Sequence, residues 1–157
     1  MSMNHLKSLV LCFFSLLLLS GCVAMPSVST EYARKDSFLQ ATERAQQVVD
    51  AINSNRPDLL YALLTEKLRD AISQEEFIRR FADERSYPYL TPLYLYLDAI
   101  DLHPDGTAQV VCSVASRLPG EYYRFSLVYE HHAYYASVFE DIVDGSYRVK
   151  FDHIVTW

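Results

Sequence analysis

Glycine is scarce in this chain, four residues in 157, and no two stand close together. A glycine-rich phosphate loop is therefore excluded, and no G-x-S-x-G elbow marks a serine nucleophile. Metal-binding spacing is absent as well: no HExxH, CxxC or His-x-His run exists. Basic charge is in deficit, with 14 Lys and Arg against 20 Asp and Glu and a formal net charge of −6. Phosphate backbones repel such a surface, so nucleic acid is excluded as a partner. Long apolar runs are missing beyond residue 21, and none matches the roughly 18–20 residues of a membrane-spanning helix. What remains is half hydrophobic and 22% charged, the composition of one folded domain.

The N-terminal segment has its own character. Of the 14 basic residues only Lys7 precedes residue 22, and residues 9–19 form an apolar run broken only by Ser15. A basic start, an apolar stretch of about 7–15 residues and a small-residue end describe a secretory signal peptide. At that end stands Leu19-Ser20-Gly21-Cys22, which resembles the lipobox of bacterial lipoproteins. The resemblance implies cleavage after Gly21, a diacylglycerol on Cys22, and stable anchoring by several acyl chains. Residues 1–21 are then the signal peptide and residues 22–30 a tether leading to a domain at 31–157. Val23 stands where an Asp tends to retain such proteins at the inner membrane, which implies the periplasmic face of the outer membrane. Cys12 would be lost and Cys22 acylated, leaving Cys112 with no partner for an intramolecular disulfide. It lies in the apolar run Ala108-Gln-Val-Val-Cys-Ser-Val-Ala115 and is expected to be a buried, inert thiol rather than a nucleophile.

Helical spacing dominates up to about residue 85. Phe38, Ala41, Ala45, Val48, Val49 and Ile52 recur at three- and four-residue steps, predicting an amphipathic helix over 31–53. Pro57 and Asp58 suit the first turn of a second helix, with Leu59, Leu60, Leu63 and Leu64 as its apolar face. Ser73-Gln-Glu-Glu76 reads as a capping box ahead of Phe77, Ile78 and Phe81. Alternation then takes over, predicting strands at 93–102, 107–116, 122–130, 134–142 and 147–155. Turns are expected at 103–106, 118–120, 131–132 and 144–145. The fold class is α+β: three N-terminal helices on a curved antiparallel sheet of about five strands.

That order of elements resembles the nuclear transport factor 2-like superfamily, a cystatin-like α+β cone. The features that carry it are the long first helix, the Leu-rich segment after Pro57, Ser73-x-x-Glu76 with its two Phe, and the meander ending in Asp144-Gly-Ser-Tyr-Arg-Val-Lys-Phe151. The superfamily holds isomerase- and dehydratase-like enzymes beside secretion scaffolds and non-catalytic lipoproteins, so the resemblance leaves function open.

Three readings follow. Asp98 with Tyr94 and Tyr96 could form an acid–base pocket in the mouth of a cone, as in isomerase-like members. Equally, all three could line the solvent face of the first strand while Leu93, Leu95 and Leu97 fill the core. Twelve tyrosines, with Tyr123, Tyr129 and Tyr135 in strands, suit an interface or an aromatic-lined cavity, or simply cross-strand pairing. His131 and His132 alternate across a strand and suit an exposed turn rather than a metal site; His153 suits a hydrogen-bonded core position. The expectation is a lipid-anchored, non-catalytic envelope protein without a metal or cofactor. It would bind a protein partner or a small apolar ligand, with homodimerisation through the sheet possible. A cone-fold isomerase- or hydrolase-like enzyme and an accessory subunit of a secretion or envelope-assembly complex are the alternatives.

Overall fold

A computed structural model describes residues 28–86, 94–115 and 122–152, with side chains from residue 33 to residue 151. Cys22, Leu93 and His153 lie outside the described residues, as do the turn at 118–120 and the ends of several predicted strands.

The order is α1 (Val28–Asn53), α2 (Pro57–Leu63), α3 (Glu66–Ala71) and α4 (Gln74–Arg85), then four strands. These are β1 (Leu95–Leu102), β2 (Thr107–Val114), β3 (Tyr122–Glu130) and β4 (Ala133–Ser137). They form a curved antiparallel sheet in the order β1-β2-β3-β4. Two short helices, α5 (Glu140–Asp144) and α6 (Val149–Asp152), flank a 3-10 turn at Ser146–Arg148. The described residues from Lys35 onward form one compact unit.

Within α1, Ala41, Ala45, Val48, Val49 and Ile52 are buried at the predicted steps, but Phe38 and Leu39 are exposed. In α2 only Leu60 is fully covered and Leu59 faces solvent. The second helix also ends earlier than its Leu run implies. Leu64 leaves it in extended conformation and makes a parallel bridge to Ala136, with Thr65 N–H donating to Ala136 O at 3.0 Å. The chain then restarts as the unpredicted α3, whose Leu68 and following Ile72 join the core. Ser73 caps α4 as expected, its Oγ accepting from Glu76 N at 3.2 Å. Glu76 does not complete the box, because its carboxylate is engaged by Arg79 and Arg80.

The strand pattern of β1 contains a break. Leu95, Leu97, Ile100 and Leu102 turn toward the helices, a spacing of two, three and two. The register shift between Leu97 and Ala99 absorbs the odd step as a β-bulge at Asp98. The edge of β1 is closed at its start by Asn53. Its carboxamide donates to Leu95 O at 2.9 Å and accepts from Leu95 N at 2.8 Å, as a neighbouring strand would. Asn53→Ala is expected to cost about 1–3 kcal/mol by orphaning both backbone groups, measured as a lowered urea midpoint. An unchanged midpoint would count against the strap.

Four strands are present among the described residues where five were expected. The stretch predicted as a strand over 134–142 stops at Ser137, and 147–155 begins with helical turns rather than a strand. The reason is a helical repeat under the β-branched composition. Phe139, Ile142, Val143 and Tyr147 recur at three- and four-residue steps and are all buried. Glu140 and Asp141 favour a helix start, and Gly145, at φ 88°, ends α5 by donating to Asp141 O at 3.0 Å. Asp144-Gly145 is thus a helix stop, not a hairpin turn. The turns at 103–106 and 131–132 follow expectation. Gly106 takes φ 84° between β1 and β2, and His131 and His132, both at positive φ, make the exposed two-residue turn between β3 and β4.

Candidate functional site

The six tyrosine and aspartate positions singled out from the sequence separate into three places. Tyr94, Tyr96 and Asp98 lie on the sheet face turned away from the core. Tyr94 is 46% and Tyr96 57% exposed, and their rings are 5.1 Å apart. Asp98 is exposed and accepts from Ser113 Oγ at 3.2 Å. Register places Tyr96 opposite Ser113 and Ser113 opposite Tyr122, itself 55% exposed. Asp101, also exposed, continues the same face beyond the bulge. The result is a strip across three strands, with Tyr94 and Tyr96 at one end, Tyr122 at the other and Ser113 between, bordered on the β1 side by two carboxylates. Arg124 stands over the ring of Tyr122, 5.7 Å from its centroid.

Tyr135 and Tyr129 occupy the other end of the sheet. The guanidinium groups of Arg44 and Arg69 both approach the Tyr135 ring to 5.2 Å. Tyr129 remains exposed and meets the buried Tyr134 edge-on at 5.1 Å. These contacts serve packing and cation–π attraction between layers. At the turn, His131 Nε2 lies 2.8 Å from Glu66 Oε2, and this pairing raises the imidazole pKa; both groups are exposed, so the pair adds little to stability.

Tyr123 points to the core side, opposite Cys112, with its ring 6.4 Å from Phe125 and 6.2 Å from Phe139. Cys112 is fully buried, and burial pushes its thiol up to about 11, as suits an inert group. Burial, reinforced by the nearby carboxylates of Asp141 and Glu84, holds the Tyr123 phenol far above its ordinary range. Beside Tyr123 runs an open groove of about 400 Å³, lined by Gln109, Phe125, Ser137, Phe139 and Asp141 among others. Phe139 takes φ 58° and ψ 38°, the left-handed region that a bulky side chain rarely adopts. Such a conformation costs on the order of 1–3 kcal/mol, and edge-on packing of its ring on Phe81 at 5.3 Å helps to hold it there.

Beneath the groove is a polar cluster that sequence reasoning missed. Glu84 is 0% exposed, and its Oε1 accepts from Lys150 Nζ at 2.5 Å. Lys150 also pairs with Asp141. Burial raises the Glu84 pKa and the Lys150 hydrogen bond opposes the rise, while the second carboxylate oxygen has no hydrogen-bond partner among the described residues. Burial pulls the Lys150 pKa down, but its two carboxylate bonds outweigh that effect and leave it raised. Around this cluster Tyr147 Oη donates to Asp83 at 2.7 Å, and Arg80 Nη1 donates to Ile142 O and Val143 O at 3.0 and 2.9 Å. A signal for Glu84 was available in the sequence. It stands three residues after Phe81 and seven after Phe77, on the apolar stripe of α4.

No family model, curated protein or solved structure matches this chain. The helix-facing side of the sheet is filled by Leu60, Leu64, Phe77, Phe81, Leu95, Leu127 and Ile142, all buried. The carboxylate and phenols considered for acid–base chemistry, Asp98 with Tyr94 and Tyr96, are on the opposite, solvated face. Among the described residues no three or more His, Cys, Asp or Glu side chains are grouped to hold a metal ion, and no helix is long and apolar enough to cross a membrane.

Proposed function

We propose that this chain is a lipid-anchored envelope protein that acts by binding a protein partner rather than by catalysis. Its anchor is the acylated Cys22 and its location the periplasmic face of the outer membrane. The helices preceding an antiparallel meander support assigning the domain to the nuclear transport factor 2-like superfamily. The observation that carries the binding role is the exposed strip of Tyr94, Tyr96 and Tyr122. Tyrosine offers a large apolar area with a polar tip at little conformational cost, which is why it is enriched at interfaces. Asp98 and Asp101 beside the strip select the partner's chemistry: a segment carrying Lys or Arg, whose cations meet both carboxylates and tyrosine faces.

The proposal is tested by placing a photo-crosslinking residue at Tyr96, at Tyr122 and, as a control, at exposed Glu75 of α4, in cells producing the full chain. A discrete crosslinked protein with a basic segment is expected from the two sheet positions only. Asp98→Lys combined with Asp101→Lys is expected to abolish it. Crosslinks that form equally at Glu75, or survive both charge reversals, would overturn the proposal.

A further inference from the structure

The sheet face that carries Tyr96 and Tyr122 continues across β3 to β4. Register joins Asp101 through Gln109 and Ser126 to Ser137, and Thr107 through Val128 to Tyr135. Residues directly opposite each other on paired strands share a face, and alternation along β3 sets Tyr122, Ser126 and Val128 on one side. Tyr135 therefore stands on the same face as the tyrosine strip, at the end away from Asp101. That end is basic where the β1 end is acidic. Arg44 from α1 and Arg69 from α3, both half-buried, converge on the Tyr135 ring, each guanidinium carbon 5.2 Å from its centroid. Two like charges are thus held on a single side chain. Neither lies within ion-pair distance of a carboxylate among the described residues. Arg69 Nε is buried without an acceptor among them, and a buried donor left unpaired is costly. Beside Arg44 opens a groove of about 240 Å³, with Gln40, Gln47 and His132 on its walls.

We propose that Arg44 and Arg69, held over Tyr135, form a carboxylate-binding subsite for an Asp or Glu of the same partner segment whose cations meet Asp98 and Asp101. The inference rests on the partner-binding reading above and adds a polarity to it: one segment, basic over β1 and acidic over β4. Stacking on the ring keeps each guanidinium fork preset for a planar carboxylate. β1 and β4 are three strand spacings apart and Tyr135 lies two residues along from the Asp101 row, so the two ends are about 16 Å apart. An extended segment of about five residues covers that distance at roughly 3.3 Å each. A carboxylate is favoured over a phosphate group by the local charge balance. Glu43 on the groove wall and Glu66 near Arg69 already offset part of the basic charge, which a singly charged group tolerates better than a doubly charged one.

Two measurements on the full chain test this. In arginine side-chain NMR, acetate added at constant ionic strength is expected to shift the Nε–Hε signals of Arg44 and Arg69 saturably, and chloride alone to leave them in place. No saturable shift with acetate, or tighter binding of inorganic phosphate, would overturn the carboxylate assignment. In cells, Arg44→Gln combined with Arg69→Gln is expected to weaken the crosslink from Tyr96 by about tenfold or more, with circular dichroism unchanged as a control for the fold. Arg44→Lys combined with Arg69→Lys keeps both charges but loses the forks, and is expected to give an intermediate yield. An undiminished crosslink in either pair of substitutions would overturn the proposal. A parent chain that gives no crosslink at all would instead overturn the binding role and the partner as source of the carboxylate, leaving acetate to decide the subsite alone.

Discussion

Lys150→Met is expected to cost the domain about 3 kcal/mol near neutral pH and to make its stability strongly pH-dependent. Removing one partner of a buried ion pair costs about 3–5 kcal/mol. The low end applies because the Lys150 side chain is 41% exposed while Glu84 is fully buried. Glu84 is already held above its ordinary carboxyl range by burial, with Lys150 opposing the rise. Without Lys150 the folded state keeps Glu84 protonated to higher pH, whereas the unfolded carboxyl ionises near 4.5. The folded state then binds more protons than the unfolded state above that pH, so stability falls as pH rises through the folded pKa. Below the unfolded value both states are protonated and the variant approaches the parent. Urea unfolding at about pH 4 and about pH 8 measures this difference. The double variant Lys150→Met, Glu84→Gln is expected to lose the pH dependence, since no buried carboxyl remains to ionise. A Lys150→Met variant equally stable at both pH values would remove the ion pair from the account of this core.

Cys22→Ser is expected to abolish acylation completely and to release the protein from membranes. Acyl chains contribute about 0.8 kcal/mol per buried methylene, so a lipoprotein anchor with several chains binds stably where a single chain holds only marginally. Metabolic labelling with an alkynyl fatty acid, followed by phase separation in detergent, distinguishes the two forms. The parent should carry label and enter the detergent phase; the variant should do neither. Membrane retention unchanged by the substitution would count against lipid anchoring. The same preparation bears on the sheet face, because photo-crosslinking at Tyr96 can be repeated with and without the anchor. A partner resident in the membrane should be lost with it, and a soluble one retained.

Several features of this protein were legible because they depend on neighbours in sequence. The buried stripe of α1, the Pro57 start of α2, the Ser73 cap and the bounds of β3 all follow from local spacing and backbone chemistry. The burial of Cys112 and the exposed His131-His132 turn follow in the same way, from an alternating apolar run and from two polar residues between strands. The bulge at Asp98 was also written locally, in the two-three-two spacing of Leu95, Leu97, Ile100 and Leu102.

Other features were decided only by packing in three dimensions. Residues 138–152 have the β-branched and aromatic composition of a strand, yet burial of Phe139, Ile142, Val143 and Tyr147 against Phe81 and its neighbours selects helical turns. Strand propensity is a weak preference, and the apolar area those four side chains bury outweighs it. The apolar stripe of α4 carries Glu84 inward, but the cation that neutralises it, Lys150, stands 66 residues away in sequence. The candidate sites divide by the same logic. Alternation placed Tyr94, Tyr96 and Asp98 together on one face, but could not say whether that face was a cavity or open to solvent. The helices settled it by covering the opposite side. The short β4, whose pairing with β3 ends at Ser126 opposite Ser137, stops where the chain turns at Phe139 in a left-handed conformation. No local preference of phenylalanine favours that turn; aromatic packing on Phe81 and Tyr123, and the Phe139 carbonyl that accepts from Ile142 N and Val143 N, help to hold it.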